Sequence, residues 1–167
     1  MSDREELLAA LDAGRGELLA AVEGMTDEQA AARPPGGGWS ALECLEHAAI
    51  AEEVLLQIQT QSVAVEEEMS RAREARLYQL ATARGRKFPA PDIALPTGRY
   101  ATPGEAAGAF LHARERTVQW LATSDFDLRR RCAQHPVLGA ASVYEMVLLM
   151  AAHPARHARQ IREARGQ

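Results

Sequence analysis

The sequence predicts an all-α protein, a four-helix bundle with a long crossover connection. Three observations predict it. Four stretches of about twenty residues place apolar side chains on a helical face. Each opens on a side chain able to cap a helix, and no run alternates apolar and polar residues for long enough to make a strand. Four such helices sharing one core make a bundle, and 167 residues suit one domain, expected to span 1–167.

The first helix is expected over about residues 3–23. Leu8, Leu11, Leu18 and Val22 lie on one side, with Leu7 and Leu19 beside them, and Gly24 follows as a stop. Asp3 followed by Glu6 can form a capping box, in which a side-chain oxygen takes an orphan backbone N–H. Thr26 to Gln29 repeats that pattern for a short turn before Pro34-Pro35-Gly36-Gly37-Gly38 breaks the chain. Ser40 and Glu43 cap a second main helix over about 41–63, striped by Leu42, Leu45, Ala49, Leu56 and Val63. The helix-forming residues from Glu66 to Arg86 suggest that it continues, with a bend. Four residues, Pro89, Pro91, Pro96 and Gly98, make 85–100 a long loop, of a length often tied to function. Thr102, Pro103 and Glu105 open a third helix to about Ala122. Its inner side carries Ala107, Phe110, Leu111, Arg114, Val118 and Leu121. A second connection over 123–141 leads to Ser142 and Glu145, which cap the last helix over about 143–164.

Composition excludes several classes. Nineteen basic and 23 acidic residues leave a net charge of −4, the wrong sign for a protein whose main partner is nucleic acid. Cys44 and Cys132 are too few for a disulfide framework or a thiolate zinc site. No apolar stretch has the length of a membrane span, and the opening MSDREELL lacks a signal-peptide pattern, so a cytoplasmic protein is expected.

Chemistry is carried by histidine. His153 and His157 are four residues apart, so they stand one above the other on a helix face and could share a metal ion. A third ligand must then come from elsewhere, and His47 lies about two turns into the second main helix. Neutral imidazoles suit Zn, Ni or Fe, and three protein ligands leave positions open for water or substrate. The plainer alternative is that the pair are polar residues near a helix C-terminus, favoured there by the macrodipole, and that His47 is a boundary histidine.

Three stretches carry a resemblance. Trp39-Ser40-Ala41-Leu42-Glu43-Cys44-Leu45-Glu46-His47 is similar to the pattern W-S-x-x-E-x-L-x-H, and His153-Pro154-Ala155-Arg156-His157-Ala158-Arg159-Gln160-Ile161 to H-x-x-x-H-x-x-Q-I. His135 to Gly139, leading into Ser142 to Glu145, resembles the entry to the last helix. Together these resemble the DinB/YfiT-like superfamily of metal-dependent enzymes. The resemblance implies a bundle with a crossover, often a homodimer. It makes His47, His153 and His157 the metal ligands. It also implies thiol-dependent S-transferase chemistry, in which the metal activates a small thiol that attacks an electrophile. A metal-dependent hydrolase and a non-catalytic, stress-related metal-binding protein stand as alternatives. A zincin protease does not fit, because the residue after His153 is Pro154 and not the glutamate base of H-E-x-x-H.

Other residues carry narrower expectations. Gln160 shares the face of the histidine pair and could orient a ligand or touch substrate. His135 and Arg159 are candidate substrate contacts. Arg156, Arg159, Arg162 and Arg165 otherwise read as a solvated face. Cys44 is expected in the core, Trp39 as a packing plug, His112 exposed, Glu43 as a cap and Glu46 solvated. Pro154 lacks an N–H and crowds the carbonyl of Met150, so a local kink near the metal is expected, which could free a carbonyl for a water or a bond to a ligand, or could merely be tolerated.

Overall fold

The computed structural model describes residues 1–69, 71–83 and 89–166. In chain order the helices are α1 (Asp3–Val22), α2 (Asp27–Ala31), α3 (Ala41–Thr60), α4 (Glu74–Thr82), α5 (Pro103–Thr123) and α6 (Val143–Ala164). The strands are β1 (Val63–Ala64), β2 (Arg131–His135) and β3 (Gly139–Ser142).

Capping chemistry sets the starts. Full capping boxes open α1, α2, α3, α5 and α6, each with a Ser or Thr at the N-cap and Glu or Gln three residues later. The first box is Ser2 with Glu5, not Asp3 with Glu6: Ser2 has the extended backbone a cap needs, and Asp3 is already helical. Past α1, Gly24 takes the left-handed φ of 70° that lets the chain turn away.

The long helices α1, α3, α5 and α6 close a ring. α1 packs against α6 and α5, and α3 against α5 and α6. α1 and α3, and likewise α5 and α6, therefore face each other across diagonals, whereas α3 and α5 are ring neighbours that run parallel, with Glu52 beside Arg114, so the connection between them has to return along the bundle. α1 and α6 approach closely at Gly14, where a Cβ would run into the Ala151 carbonyl oxygen. Only glycine lets the backbones meet there.

Two apolar clusters fill the ring. One gathers Leu18, Leu45, Phe110 and Ile161, with Cys44 buried as expected. The other gathers Leu7, Leu11, Leu121 and Val147. Between them along α5 comes Arg114, buried, which joins all four helices. Its Nε and Nη2 donate to the Glu52 carboxylate at 2.7 and 2.9 Å, its Nη1 to the Leu11 carbonyl at 2.6 Å, and Nη2 also to the Met150 carbonyl at 2.8 Å. α6 runs through Pro154 as one continuous helix. The carbonyl four residues before the proline is that of Met150, so the freed acceptor has found its partner in a guanidinium.

Three expectations are corrected. The second main helix ends at Thr60 instead of about 63. It does not continue past Glu66, because Val63 and Ala64 pair antiparallel with Cys132 and Arg131. Strands do occur: β2 and β3 form a hairpin inside the expected connection. Its residues, RCAQH and GAAS, are short and unpatterned, so periodicity could not show them. Of the expected loop over 85–100, residues 85–88 lie outside the described ones, and Asp92–Ala94 form a 3-10 turn. Among the described residues no helix is long and apolar enough to cross a membrane.

Candidate metal centre

His47 projects from the second turn of α3, and His153 and His157 from successive turns of α6. Because α3 and α6 are ring neighbours, the three imidazoles converge, with one ring nitrogen of each within 4.8 Å of the others. His153 Nε2 lies 3.1 Å from His47 Nε2 and 3.0 Å from His157 Nε2. Two nitrogens each about 2.1 Å from one ion stand roughly 3.0 Å apart at a right angle and roughly 3.4 Å at the tetrahedral angle. The spacing suits a three-nitrogen face on a single ion.

The outer ring nitrogens fix the tautomers. His47 Nδ1 donates to the Ala94 carbonyl at 2.6 Å, and His157 Nδ1 to Gln160 Oε1 at 3.2 Å. With the proton on Nδ1, the lone pair is on Nε2, facing the other rings. Burial lowers the pKa of His47, against the Ala94 carbonyl that raises it. His153 is pushed well below the ordinary imidazole value, first by burial, then by the charges of His157, His47, Arg156 and Arg114. Both effects favour the neutral ring that a metal requires. Trp39 walls the site: its ring centroid is 4.6 Å from that of His47 and 6.0 Å from that of His157, nearly parallel to the latter. It also packs on the first apolar cluster, the expected plug.

Glu46 is not solvated. It is 2% exposed, and its carboxylate accepts the Thr97, Gly98 and Arg99 amides at 2.8, 2.9 and 3.2 Å and the Thr97 hydroxyl at 2.9 Å. Burial opposes its ionisation, but these donors outweigh it and hold the pKa below the ordinary value. Glu43 caps α3 as expected and also pairs with Arg33.

Of the three candidate substrate contacts, the structure brings Gln160 to the triad, where its Oε1 accepts from His157 Nδ1. Arg159 donates to the Thr82 carbonyl at the end of α4, and Arg156 to that of Ala83. Arg162 and Arg165 reach the Glu17 and Ala21 carbonyls of α1. The arginine row therefore staples helices together while Arg159 and Arg165 remain exposed to solvent, as expected of that face. His135 closes the β2–β3 hairpin, where its Nδ1 accepts the Val137 and Leu138 amides, both at 3.1 Å. That hairpin leads into the start of α6, about 15 Å along the helix axis before His153 at 1.5 Å per residue. His112 is exposed, as expected.

Sequence reasoning missed Glu46 and the pairing of Arg114 with Glu52. A charged residue within the apolar stripe of α5 was the available signal for the second; nothing local marks the first.

The family model of the DinB superfamily matches residues 10–161. Two solved structures are similar. One is the four-helix bundle protein TT2238, at 21% identity and a TM-score of 0.62, covering 96% of this chain and 98% of that one. The other is YfiT from Bacillus subtilis, described as a probable metal-dependent hydrolase with an unusual four-helix bundle topology. It has 18% identity and a TM-score of 0.64, covering 96% of this chain and 85% of that one. A search of curated proteins gave no match to this chain.

Proposed function

This chain belongs to the DinB superfamily, and from that premise we propose that it is a metal-dependent enzyme whose ion is held by His47, His153 and His157. One observation carries the proposal. Two of the three imidazoles have their Nδ1 protons committed to the Ala94 carbonyl and to Gln160, so two Nε2 lone pairs are aimed at His153 Nε2 before any ion is considered.

When bound, a divalent ion with open positions supplies Lewis acidity, drawing a substrate thiol or a water toward its deprotonated form near neutral pH. His47 and His157 hold the donor atoms in place, and Trp39 and the surrounding apolar cluster limit access of bulk water. We favour a small thiol as the nucleophile. Its sulfur would form a bond to an electrophilic carbon, whose leaving group departs with the bonding pair, and the thiol proton passes to solvent. Water is a much weaker acid than a thiol and wants a general base, yet both carboxylates flanking His47 are engaged. Glu43 caps α3 and pairs with Arg33, and Glu46 is turned into the connection. Hydrolysis is the second reading, favoured by the description of YfiT. Zn, Ni and Fe all suit the donor set.

Metal analysis of the protein purified without an affinity tag is expected to give about one divalent ion per chain, lost in His47→Ala and in His153→Ala. Stoichiometric metal retained in both variants would remove the site. Assays of a thiol panel against a chloronitrobenzene then separate conjugation from ester or amide hydrolysis.

A further inference from the structure

Two consecutive residues of α3 grip one short stretch of the crossover connection. His47 holds it at the Ala94 carbonyl, and Glu46 at the amides of 97, 98 and 99. Three successive amides converge on one carboxylate only if the backbone curls into a nest, and Gly98 supplies the curl with a φ of 77°. The few residues between the two grips are stiff. Leu95 donates its amide to the Asp92 carbonyl and is extended, with φ −70° and ψ 138°. Pro96, which follows, locks its own φ and confines Leu95 to that region. A shift at Thr97 is therefore carried to the Ala94 carbonyl instead of being absorbed.

We propose that Glu46 is a positioning residue of the metal centre: by clamping residues 97–99 it fixes the Ala94 carbonyl, and through it the tautomer and aim of His47. The inference rests on the metal reading above. A carboxylate that merely anchored a loop would contribute to stability and leave the centre untouched. In this arrangement its removal frees Ala94, and the His47 ring loses the acceptor that keeps the Nε2 lone pair on the metal side.

Cobalt(II) is the probe, titrated into the full chain, with its visible absorption giving both affinity and ligand geometry. Apo-protein melts run alongside. Glu46→Gln places an amide N–H₂ against backbone donors. Gly98→Ala breaks the nest without touching the carboxylate, and serves as a second route if Glu46→Gln folds poorly. Glu43→Gln, which weakens a cap on the same helix, is the control for simple destabilisation. The first two are expected to weaken cobalt binding by about 10- to 100-fold and to change the spectrum. Glu43→Gln should bind as the wild type does. Lower melting with wild-type affinity and spectrum in both Glu46→Gln and Gly98→Ala overturns the positioning role and leaves an anchor. A wild-type protein that binds no cobalt overturns the metal reading itself, and this inference with it.

Discussion

Replacing Arg114 by Met tests the polar clasp at the centre of the bundle. The guanidinium and the Glu52 carboxylate are 2% and 3% exposed, so the substitution leaves a buried anion with no cation beside it. Removing one partner of a buried pair costs about 3–5 kcal/mol, and an orphaned buried carbonyl about 1–3 kcal/mol. Two carbonyls, of Leu11 and Met150, lose the same donor. Burial raises the Glu52 pKa against the pull of Arg114, so without Arg114 the carboxyl can take up a proton and limit the damage. A net loss of about 4 kcal/mol follows. With a urea m-value of about 2 kcal/mol/M, the unfolding midpoint read by circular dichroism should fall by about 2 M. The double variant Arg114→Met with Glu52→Met removes both charges and should recover most of this. In that background Pro154→Ala restores an N–H that can reach the Met150 carbonyl. Its gain there should exceed its gain in the wild type by about 1 kcal/mol. A loss below about 1 kcal/mol for Arg114→Met, or equal gains from Pro154→Ala in both backgrounds, would refute the reasoning.

Gly14→Ala drives a Cβ against the Ala151 carbonyl oxygen of α6, so α1 and α6 must part. A loss of about 2 kcal/mol is expected despite the better helix propensity of alanine, and a raised urea midpoint would contradict the contact. Burial opposes ionisation of Glu145, but Arg73 and the Ser142 amide outweigh it and hold its pKa below the ordinary 4.5. A depressed carboxyl pKa contributes stability above about pH 4.5 that is lost as the pH falls through the folded value. Glu145→Gln should therefore be destabilised by about 2 kcal/mol at pH 7, with the deficit closing below pH 4.5; a deficit constant from pH 3 to 7 would rule the account out. Trp39 lies against His47, whereas Trp120 packs on Phe126 beside the other cluster. Cobalt should quench the indole fluorescence of the wild type, and Trp39→Phe should abolish that response.

The residues that were legible are those whose neighbours are local. Four of the five N-caps were read from a Ser or Thr followed three residues on by Glu or Gln, because that hydrogen bond closes within one turn. The pair His153 and His157 was legible for the same reason, since helix geometry alone stacks i and i+4. His47 stands in the sequence as a candidate third ligand, but only the resemblance of its stretch to a family pattern ties it to the pair, because no spacing rule links residue 47 to residue 153. Glu46 was misread because its donors lie about fifty residues along the chain, on a connection whose path no local pattern dictates. The hairpin was missed because strands of four and five residues are stabilised by their pairing, not by their composition.

By itself, then, the sequence determined the helices, their caps and the shared face of the C-terminal histidines, since each follows from contacts within a turn or two. The diagonal arrangement of the bundle, the meeting of α3 with α6, the clasp of Arg114 and the grip of Glu46 on the crossover were decided only by the tertiary structure. Those contacts join segments that are far apart in the chain, and what fixes them is how helices pack and how buried charges and freed carbonyls find partners once water is excluded.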